Sequence, residues 1–154
     1  MAPTSAPSTP WASSLKAANV RPCVGRSVTL RLAGLYGPGR TQLLERLRAG
    51  TVQVPRATPH WANRIHVDDA AAATAHLLAL DDPQPCYLGV DDTPLPLDVL
   101  YDHLARLLDV PLPATGPPPP GVGSKRLSNA RLRASGFVPR WPDARVGYAA
   151  LPGT

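Results

Sequence analysis

Residues 28–50 read VTLRLAGLYGPGRTQLLERLRAG, and this stretch decides the fold class. Apolar side chains alternate with polar or small ones over residues 28–33, and a period of two predicts a strand. The glycine-rich residues 34–39 predict the end of that strand. Residues 41–49 then carry three leucines on one helical face, which predicts a short helix that Gly50 ends.

The same alternation of strand and helix recurs further along the chain. Residues 64–67 read RIHV and predict a second strand. The alanine- and leucine-rich run that follows, as far as Leu80, predicts a helix with Asp68 as its N-cap. Because this helix is apolar almost all round, we expect it to be buried between a sheet and another layer and not exposed on the surface. Residues 86–90 predict a further strand.

The remaining elements are shorter. Residues 97–108 space their leucines three and four apart and predict an amphipathic helix. The prolines within residues 51–62 predict a loop with one short strand at most. Residues 128–135 predict a last helix, capped by Ser128, and residues 137–141 a short extended piece. Strands and helices that alternate at this spacing predict an α/β architecture with mainly parallel pairing.

Composition and charge limit the classes of function. The chain has 154 residues, enough for one domain, and no run of about 18 apolar residues predicts a membrane span. Five basic residues precede the first acid, Glu45, and account for the net charge of +5, since the other 11 basic residues match the 11 acidic ones in number. The body of the protein is therefore neutral. The sequence favours neither a nucleic-acid partner nor a membrane partner.

The first 26 residues differ from the rest of the chain. They are rich in Ser, Thr, Ala and Pro and lack acids, so we expect a disordered leader over residues 1–26 and a domain over residues 27–150. Cys23 and Cys86 are not spaced as CxxC, which argues against a disulfide or zinc framework and favours the cytoplasm.

Motifs with a fixed spacing are mostly absent. The sequence contains no GxxxxGK[ST], GxSxG, HExxH or GxGxxG. We therefore predict no metal site, and no glycine-rich cradle for a dinucleotide pyrophosphate.

Two motifs and a tail carry a resemblance to a known family. LRLAGLYGPGR at residues 30–40 is followed by NRIHVDDAAAA at residues 63–73, and KRLSNARL at residues 125–132 precedes GFVP. Together they resemble the C-terminal part of the extended short-chain dehydrogenase/reductases, in the NAD(P)-dependent epimerase/dehydratase family, across roughly residues 28–148. The resemblance implies a partial Rossmann-like, doubly wound α/β sheet that lacks the N-terminal dinucleotide-binding half, with a small α/β substrate-side portion.

The resemblance also implies which catalytic groups to expect. The family uses a YxxxK pair, but lysine occurs here only at positions 16 and 125, four residues after Ala12 and Gly121. We therefore predict no catalytic residue in this chain, which we expect to be a truncated epimerase/dehydratase-like protein without independent turnover. The alternative is a non-catalytic binding or oligomerisation module, completed by a partner chain or by another copy of itself.

Binding residues carry over from the family only at matching positions. By resemblance, the nicotinamide of NAD or NADP would pass Leu32, Ala33 and Gly34. A sugar-type substrate would contact four residues: Arg40, Asn63, Arg64 and His66. Relatives often place an arginine four residues before the histidine, where this chain has Ala62. Structural roles remain open for several of these positions, since His66 could be a hydrogen-bonded core histidine, Arg40 a solvated side chain, and residues 37–39 a plain turn.

Overall fold

A computed structural model describes residues 27–121 and 123–153, so the predicted leader and Cys23 lie outside the described residues. The strands formed by these described residues are β1 Thr29–Leu32, β2 Gly34–Tyr36, β3 Gln53–Val54, β4 Trp61–Ala62, β5 Arg64–His66, β6 Cys86–Gly89, β7 Leu95–Pro96 and β8 Ala114–Thr115. The helices formed by them are α1 Gln42–Arg48, α2 Val67–Ala79, α3 Leu97–Leu107, α4 Ala130–Ala134 and α5 Ala144–Ala149.

The extended segment formed by β1 and β2 changes its hydrogen-bonded partner strand half-way along. β1 pairs in parallel with β6, whereas β2 pairs in parallel with β5. The change falls between two residues, since Ala33 N donates to Gly89 O at 2.9 Å and Gly34 N donates to Asn63 O at 3.2 Å. The strand predicted to end at Gly34 therefore continues to Tyr36. We call this change of partner between Ala33 and Gly34 the crossing. It lies at the carboxyl ends of β1 and β6.

The other pairs are short. β3 pairs in parallel with β8, and β4 pairs in antiparallel fashion with β7. Residues 51–62 thus hold two short strands where we expected one at most. Parallel pairing dominates, as the sequence predicted, and the partial Rossmann-like α/β class is confirmed. No helix within residues 27–121 and 123–153 is long and apolar enough to cross a membrane.

Helix α2 departs from the prediction in two ways. Its buried side includes Ala73 and Leu77, but Leu78 is 81% exposed. The expectation that α2 is not exposed on the surface was wrong, because the sheet covers one face of α2 and no other described layer covers Leu78. The N-cap is His66 and not Asp68: the Asp68 backbone N–H donates to His66 Nδ1 at 3.2 Å.

The buried residues form two clusters. One cluster joins α1, α3 and α5 to the short strands, and its fully buried members include Tyr36, Leu100 and Leu104. The other lies where α2 and α4 cover β6, around Tyr87 and Leu132. The crossing therefore lies between two strand pairs. The β1–β6 pair packs in the second cluster, and the β2–β5 pair packs in the first.

The C-terminal elements differ from the prediction. The predicted helix over residues 128–135 is the shorter α4, with Asn129 in the N-cap position where we expected Ser128. Gly136 follows it at a φ of 95°, a conformation that suits glycine. Helix α5 was not predicted. The Asp143 side chain caps α5 by accepting the Arg145 backbone N–H at 2.9 Å.

Candidate functional site

The crossing places Leu32, Ala33 and Gly34 at the edge where ligands bind in parallel α/β sheets. The Leu32 side chain is 43% exposed there. The backbone N–H groups of Ala33 and Gly34 are already used, because each donates to a neighbouring strand. The three residues can therefore contact a ligand that lies over them, but they offer it few free hydrogen-bond donors.

The Arg64 side chain fills the space over Gly34. A Cβ built on Gly34 would lie only 2.5 Å from Arg64 Nη1, so the glycine is needed for this close approach. Arg64 Nη2 donates to Tyr101 Oη at 3.0 Å, and Nη1 donates to Asn63 O at 3.1 Å. A guanidinium has five N–H donors, so Arg64 keeps donors for an anionic ligand while it is held in place.

Tyr148 of α5 lies beside the same guanidinium. Burial raises the pKa of the Tyr148 hydroxyl, and the positive charge of Arg64 works against that rise. The Tyr148 ring stacks on Tyr36 with centroids 4.3 Å apart. Arg64 is therefore supported from β2, α3 and α5 at once.

His66 is packed into the core. It is 2% exposed, and its ring meets Tyr36 edge-on at 5.1 Å and lies 4.9 Å from the Trp141 ring. Because Nδ1 accepts the Asp68 N–H, a neutral His66 carries its proton on Nε2. The ring edge bearing Nε2 faces Gly37, where a Cβ would lie 3.1 Å from that atom.

The remaining two predicted substrate residues lie apart from each other. Asn63 fixes the segment before α4, since its Nδ2 donates to Lys125 O at 2.8 Å and its Oδ1 accepts the Leu127 N–H at 2.9 Å. Arg40 is the exposed last residue of the turn of residues 37–40, and its N–H donates to Gly37 O at 2.9 Å. Arg64 and His66 thus lie in β5, Asn63 immediately precedes that strand, and Arg40 lies in the loop after β2.

Comparison with known proteins shows which solved structures this arrangement resembles. No protein-family model and no curated protein matches the chain. Among solved structures, an NAD-dependent epimerase/dehydratase-type protein from Methylobacillus flagellatus is 41% identical, with a TM-score of 0.66 over 81% of this chain and 46% of that one. The chain is similar to the C-terminal portion of the NAD-dependent epimerase/dehydratases.

Two further structures support the match. A conserved protein of unknown function from Silicibacter pomeroyi DSS is 33% identical, with a TM-score of 0.67 over 79% of this chain and 47% of that one. The UDP-glucose 4-epimerase of Thermus thermophilus, solved in complex with NAD, is 25% identical, with a TM-score of 0.57 over 73% of this chain and 41% of that one. The chain spans less than half the length of each structure and corresponds to the C-terminal portion of this epimerase/dehydratase family.

The described residues do not form an NAD(P) cradle of the epimerase/dehydratase type. The N–H groups of Ala33 and Gly34 are spent on strands, and the Arg64 guanidinium occupies the close approach that Gly34 permits. No GxGxxG sequence is present to hold a pyrophosphate at a helix start. NAD(P) remains the cofactor expected for the family, and these residues alone do not fit its phosphates.

The surroundings of Tyr36 do not suit an acid or base of the epimerase/dehydratase type. Burial raises the pKa of the Tyr36 hydroxyl far above the usual range, and Oη has no hydrogen-bond partner among the described residues. No lysine lies near Tyr36 in the sequence. Among the described residues, His, Cys, Asp and Glu form no cluster that could hold a metal ion.

A cavity of about 360 Å³ lies beyond Tyr101. Arg46 and Gln53 contribute polar groups to its wall, while Leu97 and residues 117–120 contribute apolar ones. Its wall therefore includes Tyr101, the residue that accepts the Arg64 hydrogen bond, and its volume is large enough for a small ligand.

Sequence reasoning missed two buried aspartates that organise the site. The Asp69 carboxylate accepts the backbone N–H groups of Arg140 and Trp141, at 2.8 and 2.9 Å. The Asp91 carboxylate accepts the backbone N–H of Thr93 at 3.3 Å. It also accepts the backbone N–H of the first residue of α5. An Asp-Asp pair follows both β5 and β6 in the sequence, which was the only available signal.

Proposed function

We propose that residues 27–150 form one domain that supplies the substrate side of an NAD(P)-dependent epimerase/dehydratase site. In this proposal the described residues position the substrate, while the cofactor cradle and the tyrosine–lysine pair come from another polypeptide segment. The single observation that carries the proposal is the crossing at Gly34. There, a family-typical strand changes partners beneath an arginine that retains free donors.

We propose a sugar nucleotide as the substrate class. Arg64 offers charge-assisted hydrogen bonds to a diphosphate or a carboxylate, and its Tyr101 contact reduces the entropy lost on binding. The cavity next to Tyr101 has room for part of such a ligand. The similarity to a protein named UDP-glucose 4-epimerase supports the same class.

Calorimetric titration of the full chain with UDP-glucose and UDP-glucuronic acid tests the substrate proposal. We expect weak but saturable binding that Arg64→Met lowers more than tenfold, while Arg106→Met, a matched change on α3, leaves it unchanged. Equal losses in the two variants, or no saturable binding by the wild type, would contradict the proposal.

Turnover is tested separately. Full chain mixed with NAD+ or NADP+ and the same sugar nucleotides should form epimerised or dehydrated sugar nucleotide no faster than a heat-inactivated sample, with the sugar product itself measured because these reactions regenerate the oxidised cofactor. Turnover clearly above that control would show that a complete catalytic site exists in this chain.

The unpaired edge of β1 favours a second function, a module completed by another chain. β1 pairs with β6 on one side, and no described strand pairs with its other side. Beside that edge, Val28, Leu30, Leu77 and the exposed Leu78 line a small apolar cavity. Unpaired strand edges next to apolar surface are where chains add strands or aggregate.

The solution mass of the purified protein tests this second function. A defined dimer that Leu78→Glu converts to monomer would support it, with Val146→Glu as the matched control, since Val146 is exposed on α5, which packs in the other cluster. A wild-type monomer would contradict self-association. We also propose a cytoplasmic location, which the free thiol of Cys86 supports.

A further inference from the structure

A separate cavity, of about 250 Å³, lies just after the end of β6. Its wall is formed by Asp91, Asp92 and Pro94 together with residues 126–128. It shares no described lining residue with the cavity beside Tyr101. Its volume is below the range of about 300–1,000 Å³ that is typical of pockets for drug-sized ligands, so it suits a smaller molecule.

Asp91 brings a buried carboxylate without a counter-ion to this cavity. The residue is 2% exposed, and its carboxylate accepts the backbone N–H groups of Thr93 at 3.3 Å and Ala144 at 3.2 Å. Each carboxylate oxygen accepts one of these N–H groups and therefore keeps a lone pair for a ligand. Among the described residues, no ion pair involves Asp91. Because buried charges in proteins are paired, a cationic group is the partner that this wall lacks.

Two cations near Asp91 already pair with other carboxylates. Arg133 Nε lies 3.6 Å from Asp92 Oδ1, and Arg145 Nη2 lies 2.6 Å from Asp143 Oδ2. Asp92 also lines the cavity and adds its own carboxylate to the wall. A ligand group that approaches Asp91 therefore meets negative charge.

Arg126 and Ser128 contribute hydrogen-bond donors to the same cavity. The Arg126 guanidinium lies 5.3 Å from the centroid of the Trp61 ring, and within the part of the chain that the structure describes none of its N–H groups donates a hydrogen bond. The backbone at Arg126 is fixed, because the Asn63 side chain bonds the residues directly before and after it. This part of the wall suits an anionic group, since a guanidinium binds a carboxylate through two parallel N–H donors.

We propose that this cavity binds a small zwitterion, a free α-amino acid, with its ammonium group at the two aspartates and its carboxylate at Arg126 and Ser128. A ligand with only a positive charge would be repelled by Arg126, and a ligand with only a negative charge would be repelled by Asp91 and Asp92. An uncharged ligand would leave the buried Asp91 charge without a counter-ion. An α-amino acid carries both charges on groups attached to one carbon atom, so it brings them together into a cavity of this size.

Amide NMR titrations of the full chain with matched pairs of small molecules test this site. They are run at about one pH unit above the pKa of Asp91, which burial raises to about 7, so that the carboxyl group is ionised. L-serine and L-alanine should shift the amide signals of residues 91–93 and 126–128 and saturate in the millimolar range. Ethanolamine, which is L-serine without its carboxylate, and L-lactate, which is L-alanine with a hydroxyl in place of the ammonium group, should bind more than about tenfold more weakly. Equal binding within either pair, or no saturation with either amino acid, would overturn the proposal.

Variants separate this site from a general effect of charge. Arg126→Met should weaken L-serine binding more than about tenfold, because the carboxylate loses its guanidinium partner. The matched control Lys125→Met removes an adjacent cation that does not line the cavity, and should leave binding unchanged. L-serine binding by Arg126→Met as tight as by wild type would show that the guanidinium only balances the charge of the aspartates, and would contradict the proposal. Asp91→Asn should abolish binding, and if that variant fails to fold, the comparison of L-alanine with L-lactate on the wild type decides alone.

Discussion

Replacing Gly147 by alanine should destabilise the fold, although alanine is the better helix former. A Cβ at position 147 would overlap Tyr36 Oη and lie 2.8 Å from two carbon atoms of the Tyr36 ring. The ring has little freedom to retreat, because Tyr36 is 0% exposed, stacks on Tyr148 and meets His66 edge-on. Core overpacking costs about 1–3 kcal/mol, and we take the upper end because the overlap is severe. Helix propensity returns about 1 kcal/mol.

The expected net loss is therefore about 2 kcal/mol in the free energy of unfolding, measured by urea denaturation. With a slope of about 1–3 kcal/mol per molar urea, the midpoint should fall by roughly 1 M. Adding Tyr36→Phe should recover about half of the loss, because it removes the overlapping oxygen and a buried hydroxyl that has no partner among the described residues. Gly123→Ala is the control, since nothing lies within 4 Å of a Cβ built at that position. A Gly147→Ala protein as stable as wild type would refute the packing described around Tyr36.

Two further predictions concern the buried aspartates. Asp69→Asn should cost about 2–3 kcal/mol, because an amide NH₂ would face one of the two backbone N–H groups that the carboxylate accepts. Urea denaturation measures the loss, and a change below about 0.5 kcal/mol would contradict it. Raising the pH from about 4 to 7 should lower the wild-type free energy of unfolding by up to about 4 kcal/mol, since Asp91 binds its proton more tightly folded than unfolded. The lowered pKa of Asp143 acts below that window, so a stability that rises from pH 4 to 7 would contradict the assignment.

Local patterns in the sequence predicted the elements whose stability is local. The leucine spacing over residues 97–108 corresponds to α3, and the alternation at residues 28–33 corresponds to β1. Glycine at position 50, with a φ of 64°, ends α1 where the sequence indicated. These features depend on side-chain period and backbone conformation, both of which are readable within a short window.

The features that were missed depend on tertiary contacts. Helix α5 is too short for a periodic signal, and Tyr148 packing holds it in place. His66 replaced Asp68 as the N-cap because its ring is buried between Tyr36 and Trp141, with Nδ1 facing the first turn.

The candidate site likewise combines positions that the sequence indicates with a contact that only the tertiary structure shows. Resemblance selected Gly34 and Arg64 as separate cofactor and substrate positions, and nothing in the sequence reveals that they are register partners. Only the pairing of β2 with β5 brings the Arg64 guanidinium over Gly34. The cofactor and substrate roles of both residues remain predictions.

A thermal melt of the full chain with and without excess NADH and NADPH tests the central claim most directly. The claim is that residues 27–150 fold as one domain but do not hold the cofactor alone. It predicts one cooperative transition whose midpoint is the same with and without either nucleotide. A ligand at one hundred times its dissociation constant adds about 2.7 kcal/mol to the folded state, which would be a clear shift. A rise of the midpoint with NADH or NADPH, or a melt without a cooperative transition, would contradict the account.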